Sequence, residues 1–142
     1  GLDPDPYLDH VHDIDLGSVR PEPAMRAAIA ALPGRRIVYT NGSRGHARRV
    51  TEALGIGDLF EALYGFEDAG YEPKPRPTAF ARIFSADGLA PRRAAMFEDD
   101  ARNLKVPHAM GMRTVHVAET ANAAEHIHFH TDDLSGFLMR LL

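Results

Sequence analysis

The chain has 142 residues, of which 44% are hydrophobic and 25% are charged, and its formal net charge at pH 7 is -4. A chain of this length buries about 68–70% of its unfolded surface, so it suits one globular domain and not a disordered segment. The mildly acidic balance argues against a general nucleic-acid binder and no apolar run matches a membrane helix, while the lack of cysteine excludes disulfides and thiol nucleophiles and fits a cytoplasmic location.

Residues 1–20 resemble the end of a larger helical region. Their apolar residues, among them Tyr7 and Val11, are loosely spaced, and Gly17–Ser18 ends the pattern. Because the first residue is Gly1 and not Met, we expect this sequence to be a processed or trimmed product.

The rest of the chain begins an alternation of helices and strands. Pro21 and Pro23 open a helix with one apolar face, and Pro33–Gly34 ends it. A short apolar strand then spans residues 37–40 and runs directly into a tight turn. Ser43 is placed to cap the next helix, which ends near Gly55.

Further elements continue this alternation to the end of the chain. They are strands at 63–66, 94–97 and 114–117, an extended segment at 127–129, and helices at 78–86, from the acidic cluster through 110, and at 134–142. Strands that alternate with helices across short connections form parallel βαβ units. The predicted fold class is therefore α/β, a Rossmann-like doubly wound parallel sheet, in which right-handed crossovers bring the carboxyl ends of the strands to one edge.

Three polar clusters follow the predicted strands, at the edge where open α/β sheets bind ligands. Residues 40–43 end a strand at a helix N-terminus, which favours an anion such as phosphate. The triplet 98–100 (Glu-Asp-Asp) ends another strand, and adjoining carboxylates favour a hard cation such as Mg²⁺. Lys74 lies between two prolines on a loop at the same edge. Together the clusters predict a pocket for phosphoryl transfer.

Each cluster taken alone also has a plain structural explanation. Thr40 and Ser43 could only cap a helix, Lys74 could be a surface lysine, and the acidic triplet could be a solvated helix start. The order along the chain is far more specific: a strand ending in Thr, then a Lys-Pro loop, then a strand ending in Glu-Asp.

The same segments resemble one enzyme superfamily. IVYTNGSRGHA, EPKPRP and MFEDDARNL resemble the second, third and fourth motifs of the haloacid dehalogenase (HAD) superfamily. The similarity is closest to its pyrimidine 5′-nucleotidase-like branch, because TNGSRGHARRVTEALGI and DLFEALYGFEDA are close to that branch's pattern. It spans roughly residues 7–118 and implies a HAD-like core at 21–142 that lacks its first strand, preceded at 1–20 by the remnant of a helical cap.

The resemblance implies roles for the residues after the first strand. Thr40 would hydrogen-bond the transferring phosphoryl group, with Asn41 beside it in the catalytic set. Gly42 and Ser43 would bind substrate, and His46 would face the substrate or lie on the helix surface.

The resemblance also implies a charge-balancing lysine and a metal site. Lys74 would neutralise the nucleophile and the phosphate together. Asp99 would bind Mg²⁺ directly, Glu98 would be a second ligand or hold a metal-bound water, and Asn103 would support that shell.

The family's reaction needs an aspartate nucleophile, which lies in a DxDx(T/V) motif at the end of the first core strand. Asp13-Ile14-Asp15-Leu16 is rejected as that motif, because no buried strand precedes it and the family's cap would not fit before Tyr39. We therefore expect the nucleophile to lie outside this chain and the chain alone to be inactive. The missing strand would sit between the strands that carry Thr40 and Asp99. A preceding segment or another polypeptide would fill the gap, or the flanking strands would close up directly.

His126, His128 and His130 alternate with apolar residues, which places three imidazoles on one face of an extended segment. This pattern favours the polar face of an edge strand, with a zinc or nickel site as the alternative.

Two functions remain open on the sequence. The first is a Mg²⁺-dependent phosphatase that acts on a small phosphate monoester, a nucleoside 5′-monophosphate, through an aspartyl-phosphate. The second is a catalytically inactive remnant or binding module that retains the phosphate and Mg²⁺ pocket. The expected partners are the small-molecule substrate and the protein's own N-terminal segment, with no nucleic acid and no membrane.

Overall fold

The computed structural model describes residues 21–141, in which helices and strands alternate along the chain. In chain order the elements are α1 (Pro23–Ala30), β1 (Ile37–Tyr39), α2 (Arg44–Ala53), β2 (Ala62–Tyr64), α3 (Pro77–Asp87), β3 (Ala95–Glu98), α4 (Lys105–Ala109), β4 (Arg113–Val117), β5 (Phe129–Thr131) and α5 (Leu134–Arg140). Short 3₁₀ helices lie at Gly57–Leu59, Phe66–Ala69, Pro91–Arg93 and Ala101–Leu104. The predicted α/β class is confirmed, and the predicted cap remnant at 1–20 lies outside the described residues.

The strands pair in parallel, in two groups. β1 pairs with β2, placing Val38 opposite Leu63, and β4 pairs with β3 on one side and β5 on the other. Across residues 21–141 no ladder joins β1 to β3. The two strands that were expected to flank a further strand therefore do not close up on each other.

The two groups of strands nevertheless form one layer, because the same helices cover both. On one face, Val38 of β1 and Phe97 of β3 belong to a cluster built on α1, α2 and α5. On the other face, Tyr39 of β1 and Met96 of β3 belong to a cluster built on α3. Successive strand residues point to opposite faces. The interrupted sheet is thus the middle layer of an α/β/α sandwich.

Three predicted bounds need correction. The strand at 63–66 ends at Tyr64, because Gly65 and Phe66 turn into a 3₁₀ helix. The extended segment at 127–129 is displaced along the chain, since β5 spans Phe129–Thr131. The helix after the acidic cluster begins as the 3₁₀ turn Ala101–Leu104 and becomes α-helical only in α4. None of the helices within residues 21–141 is long and apolar enough to cross a membrane.

Gly65 is required by the close approach of β2 to the start of α2. A Cβ at this position would collide with Arg44 N and lie 2.8 Å from the Ser43 carbonyl carbon. We expect Gly65→Ala to lower the free energy of unfolding by about 1–3 kcal/mol, as overpacking does. Gly45→Ala is the matched control, because its Cβ would have Arg49 Nη1 as its nearest neighbour, at 3.6 Å. In urea titrations a Gly65→Ala protein as stable as the parent would contradict this packing.

His128 makes the start of β5 sensitive to pH. Thr114 N donates to His128 Nδ1 at 3.0 Å, so this nitrogen cannot bind a proton while the bond persists. Desolvation of the ring where it meets β4, helped by the positive charges of His108 and Arg113, lowers the pKa of His128 although the residue is largely exposed. The unfolded chain then binds the proton more readily, so His128 stabilises the fold fully above about pH 6.5 and less as the pH falls through its lowered pKa.

The expected result is a smaller loss of thermal stability on acidification when His128 is replaced by asparagine. The asparagine side-chain oxygen can still accept the Thr114 N–H group but does not titrate. Thermal midpoints of the parent and of His128→Asn, followed from about pH 7 down to about pH 5.5, check this. Equal slopes for the two proteins would show that His128 does not carry the effect.

Candidate functional site

Lys74 lies at the centre of the candidate site. Its side chain is buried, with the residue 1% exposed, and its Nζ donates to Glu98 Oε2 at 3.0 Å and to Tyr39 O at 3.2 Å. The same ammonium lies 4.7 Å from the centre of the Tyr39 ring. These contacts join the carboxyl ends of β1 and β3 across the interruption in the sheet. The interpretation of Lys74 as a surface lysine is therefore wrong.

Asn41 fixes the loop that carries Lys74. Lys74 N donates to Asn41 Oδ1 at 2.8 Å, and Asn41 Nδ2 donates back to Lys74 O at 3.4 Å. This reciprocal pair ties the turn after β1 to a residue 33 positions further along the chain. The side chain of Asn41 thus positions Lys74, a contact that no local sequence pattern indicates.

Thr40 directly follows β1, one residue beyond the strand's end at Tyr39, and is 1% exposed. Its backbone N–H group donates to Tyr64 O, and its hydroxyl oxygen accepts from Gly42 N at 2.9 Å. Accepting that bond leaves the hydroxyl hydrogen available to donate. Thr40 is therefore a fixed hydroxyl donor at the same sheet edge as Lys74.

Protein side chains bind two of the backbone N–H groups in the first turn of α2. Ser43 Oγ accepts from His46 N at 3.0 Å, which confirms Ser43 as the helix cap and places the partly buried His46 in the first helical turn. Glu67 Oε1 accepts from Arg44 N at 3.0 Å. Bonds from its own amide and from that of Arg44 lower the pKa of Glu67 and keep it charged.

The N-terminus of α2 is therefore occupied in part by the protein itself. Two amides of the first turn, those of Arg44 and His46, are bound by protein side chains. A carboxylate already occupies the positive end of the helix. In the turn before the helix, Thr40 N and Gly42 N are also bound within the protein, by Tyr64 O and Thr40 Oγ1.

Glu98 is fully buried, and both of its oxygens are hydrogen-bonded. Oε2 accepts from Lys74, while Oε1 accepts from Asn103 Nδ2 at 3.3 Å and from Asp100 N at 3.4 Å. Burial raises the pKa of Glu98 well above its usual range, Lys74 opposes that rise, and the neighbouring Asp99 carboxyl adds to it. The interpretation of the triplet as a solvated helix start is wrong for Glu98. Asp100, in contrast, does cap a helix, the 3₁₀ turn that follows.

Asp99 has a side-chain oxygen that is free to bind a further group. Its Oδ1 is buried and has no hydrogen-bond partner among residues 21–141. A buried acceptor without a partner costs about 1–3 kcal/mol. The adjacent Glu98 carboxyl makes this position attractive to a hard cation such as Mg²⁺. Of the three predicted metal residues, Asp99 fits direct contact, whereas the amide of Asn103 is committed to Glu98.

The described part of the chain contains no group of three His, Asp or Glu side chains that could by itself hold a metal. Among those residues, the zinc or nickel alternative for the tail histidines therefore has no ligand cluster. His126 Nε2 instead lies 2.9 Å from Ala101 O and His130 Nε2 lies 2.8 Å from Ala118 O. Of these histidines, His130 lies within β5 and His126 precedes it.

The fold of the chain is similar to that of several solved hydrolases. The L-2-haloacid dehalogenase from Xanthobacter autotrophicus, with chloropropionic acid covalently bound, superposes with a TM-score of 0.71 at 17% identity, covering 86% of this chain and 61% of that one. A predicted phosphoglycolate phosphatase from Haemophilus somnus gives a TM-score of 0.69 at 23% identity, covering 84% of this chain and 56% of that one. A HAD-superfamily hydrolase from Geobacter sulfurreducens gives 0.64 at 22% identity, covering 85% and 60%.

The chain spans only 56% to 61% of the length of these three structures. At these identities the similarity shows the fold alone. The family evidence comes from the sequence, since the model of the haloacid dehalogenase-like hydrolases matches residues 4–111. The chain therefore belongs to the haloacid dehalogenase-like hydrolases.

Proposed function

We propose that this chain forms the core of a Mg²⁺-dependent phosphatase, which hydrolyses a small phosphate monoester through an aspartyl-phosphate. One observation carries the proposal: a buried oxygen of Asp99, beside Glu98 and at the same sheet edge as Lys74, has no hydrogen-bond partner among the described residues. A carboxylate pair with a vacant acceptor attracts a cation, and a cation is what a phosphate ester needs at its oxygens. We favour phosphatase over dehalogenase chemistry because a cation bound at Asp99 would balance the charge of a phosphoryl group during transfer.

Thr40 and Lys74 supply the remaining contacts to the phosphoryl group. In the proposed reaction an aspartate oxygen attacks phosphorus, the P–O bond to the alcohol breaks, and the alcohol oxygen takes a proton from a second aspartate. Water, which gives a proton to that second aspartate, then attacks the phosphorus of the aspartyl-phosphate; the P–O bond to the nucleophile breaks, which yields phosphate and restores both aspartates. Lys74 offsets the charges of the nucleophile and the phosphate, and the Thr40 hydroxyl donates to a phosphoryl oxygen. Both groups are held before substrate arrives, so they stabilise the transition state with little reorganisation.

Asp99 would hold the Mg²⁺ ion, with Glu98 and Asn103 behind it. When bound, Mg²⁺ orients the phosphate oxygens and balances their negative charge. Glu98 has both oxygens occupied inside the protein, so its part is to fix Lys74 and the surroundings of Asp99.

The nucleophilic aspartate, we propose, lies on an extended segment that fills the space between β1 and β3. The facing edges of these strands share no ladder within residues 21–141, yet the same two clusters of side chains cover both strands. Lys74 already links their carboxyl ends. A parallel segment inserted here would complete the sheet and would end beside Lys74, where its aspartate is needed. That segment belongs to the same gene product or to another polypeptide.

Among phosphate monoesters we propose nucleoside 5′-monophosphates. The support is the resemblance of TNGSRGHARRVTEALGI and DLFEALYGFEDA to the pyrimidine 5′-nucleotidase-like branch. The first of these segments begins with the turn at 40–42, where the sequence predicts the phosphate.

The reaction class is tested on the protein expressed from its complete gene. With Mg²⁺ present, we expect release of phosphate from UMP and CMP and no release of chloride from 2-chloropropionate. A Lys74→Met protein purified in parallel controls for contaminating phosphatases. Chloride release without phosphate release would assign the protein to the dehalogenases. Release of neither, with phosphate still bound at the site, would favour the inactive binding module.

A further inference from the structure

Two histidine rings from other parts of the chain hydrogen-bond to the backbone of the loop that carries Asp99, residues 99–104. His116, on β4, places its Nε2 at 2.8 Å from Asp99 O. His126, which precedes β5, places its Nε2 at 2.9 Å from Ala101 O. A carbonyl oxygen only accepts hydrogen bonds, so both ring nitrogens carry a proton and donate.

His116 is part of the buried layer and not of the surface. The residue is 4% exposed and lies directly opposite Glu98 in the pairing of β3 with β4. Its Nδ1 is buried and has no hydrogen-bond partner among the described residues. The ring therefore makes one strong polar contact, and that contact is with the backbone of Asp99.

Among residues 21–141, the other side-chain hydrogen bonds of the loop stay within it or reach the adjacent Glu98. Asp100 and Arg102 pair with each other, through both the amide and the guanidinium of Arg102. The bond from Asp100 N to Glu98 Oε1 is long, at 3.4 Å. The histidines thus supply the well-formed bonds that connect the backbone at Asp99 and Ala101 to distant elements of the chain.

We propose that His116 and His126 are positioning residues for the metal ligand Asp99. The proposal rests on the proposed function, because it concerns the Mg²⁺ ligand of that site. Mg²⁺ demands near-ideal octahedral geometry, so a small rotation of the Asp99 backbone would move its carboxylate off the required direction. Groups that orient a ligand typically change metal affinity by about 10–100-fold when they are removed.

The experiment measures Mg²⁺ binding to the complete protein in the absence of substrate by titration calorimetry, together with the Mg²⁺ concentration that gives half-maximal phosphate release. We expect His116→Leu to weaken Mg²⁺ binding by about 10–100-fold. His116→Gln retains an amide N–H group near the position of Nε2 and should recover most of the affinity. If His116 served folding alone, Mg²⁺ affinity would not recover in His116→Gln while the thermal midpoint of His116→Leu stayed equal to that of the parent.

His126→Ala is the second variant, since His126 is only half-buried and its loss is less damaging to folding. His128→Asn is its control, because His128 Nδ1 accepts from Thr114 N and makes no bond to residues 99–104. We expect weaker Mg²⁺ binding for His126→Ala and parental binding for His128→Asn. Parental Mg²⁺ affinity in both His116→Leu and His126→Ala would overturn the inference while leaving the phosphatase intact. A parent protein with neither Mg²⁺ binding nor Mg²⁺-dependent turnover would overturn the proposed function itself.

Discussion

Replacing Lys74 with alanine should lower kcat for phosphate release by about 10²–10³-fold, the range seen when one preorganised electrostatic group is removed from an active site. The ammonium is the charged group that joins the two halves of the interrupted sheet, through Tyr39 O and Glu98. The substitution also leaves Glu98 buried without its counter-ion. We therefore expect a loss of stability of about 3–5 kcal/mol, as for other broken buried ion pairs.

Lys105→Ala is the matched control for this prediction. Lys105 is the chain's one other lysine, and it is exposed at the start of α4. Its removal should change neither kcat nor the urea midpoint. A Lys74→Ala protein that keeps parental turnover would show that the phosphoryl group is bound elsewhere.

Asp99→Asn should abolish Mg²⁺-dependent phosphate release without destabilising the protein. The asparagine keeps the size of the side chain but removes the charge that draws the cation. It also relieves the repulsion between Asp99 and Glu98, a repulsion that contributes to the raised pKa of Glu98. The thermal midpoint of the metal-free protein is therefore expected to stay level or to rise, as occurs when a strained functional site is removed.

The control for Asp99→Asn is Asp132→Asn, an exposed aspartate in the turn between β5 and α5. It should retain parental turnover and parental response to Mg²⁺. Retained turnover of Asp99→Asn in metal-free buffer would contradict the assignment of Asp99.

The sequence predicted the elements whose signals are local. The helix that opens at Pro23, the cap at Ser43 and the end of α2 shortly before Gly55 follow from proline, capping and glycine chemistry within a few residues. The edge at which Thr40, Lys74 and Asp99 meet follows from the parallel alternation, because parallel strands share the direction of their carboxyl ends.

The parts that the sequence did not predict depend on contacts between distant residues. Glu67 binds the start of α2 from 23 positions away, and His116 reaches the backbone of Asp99 from 17 positions away. No periodicity or spacing marks either contact. The alternating histidines showed an extended segment but not its register, since β5 is fixed by pairing with β4 and begins at Phe129.

We propose that the sheet edge between β1 and β3 is a Mg²⁺-dependent phosphoryl-transfer site. The most direct test is the initial rate of phosphate release from UMP by the protein made from its complete gene, measured with Mg²⁺ and again with excess EDTA. We expect turnover with Mg²⁺, its loss in EDTA and its return when Mg²⁺ is restored. Equal rates in EDTA and in Mg²⁺, or no phosphate release under either condition, would contradict the claim.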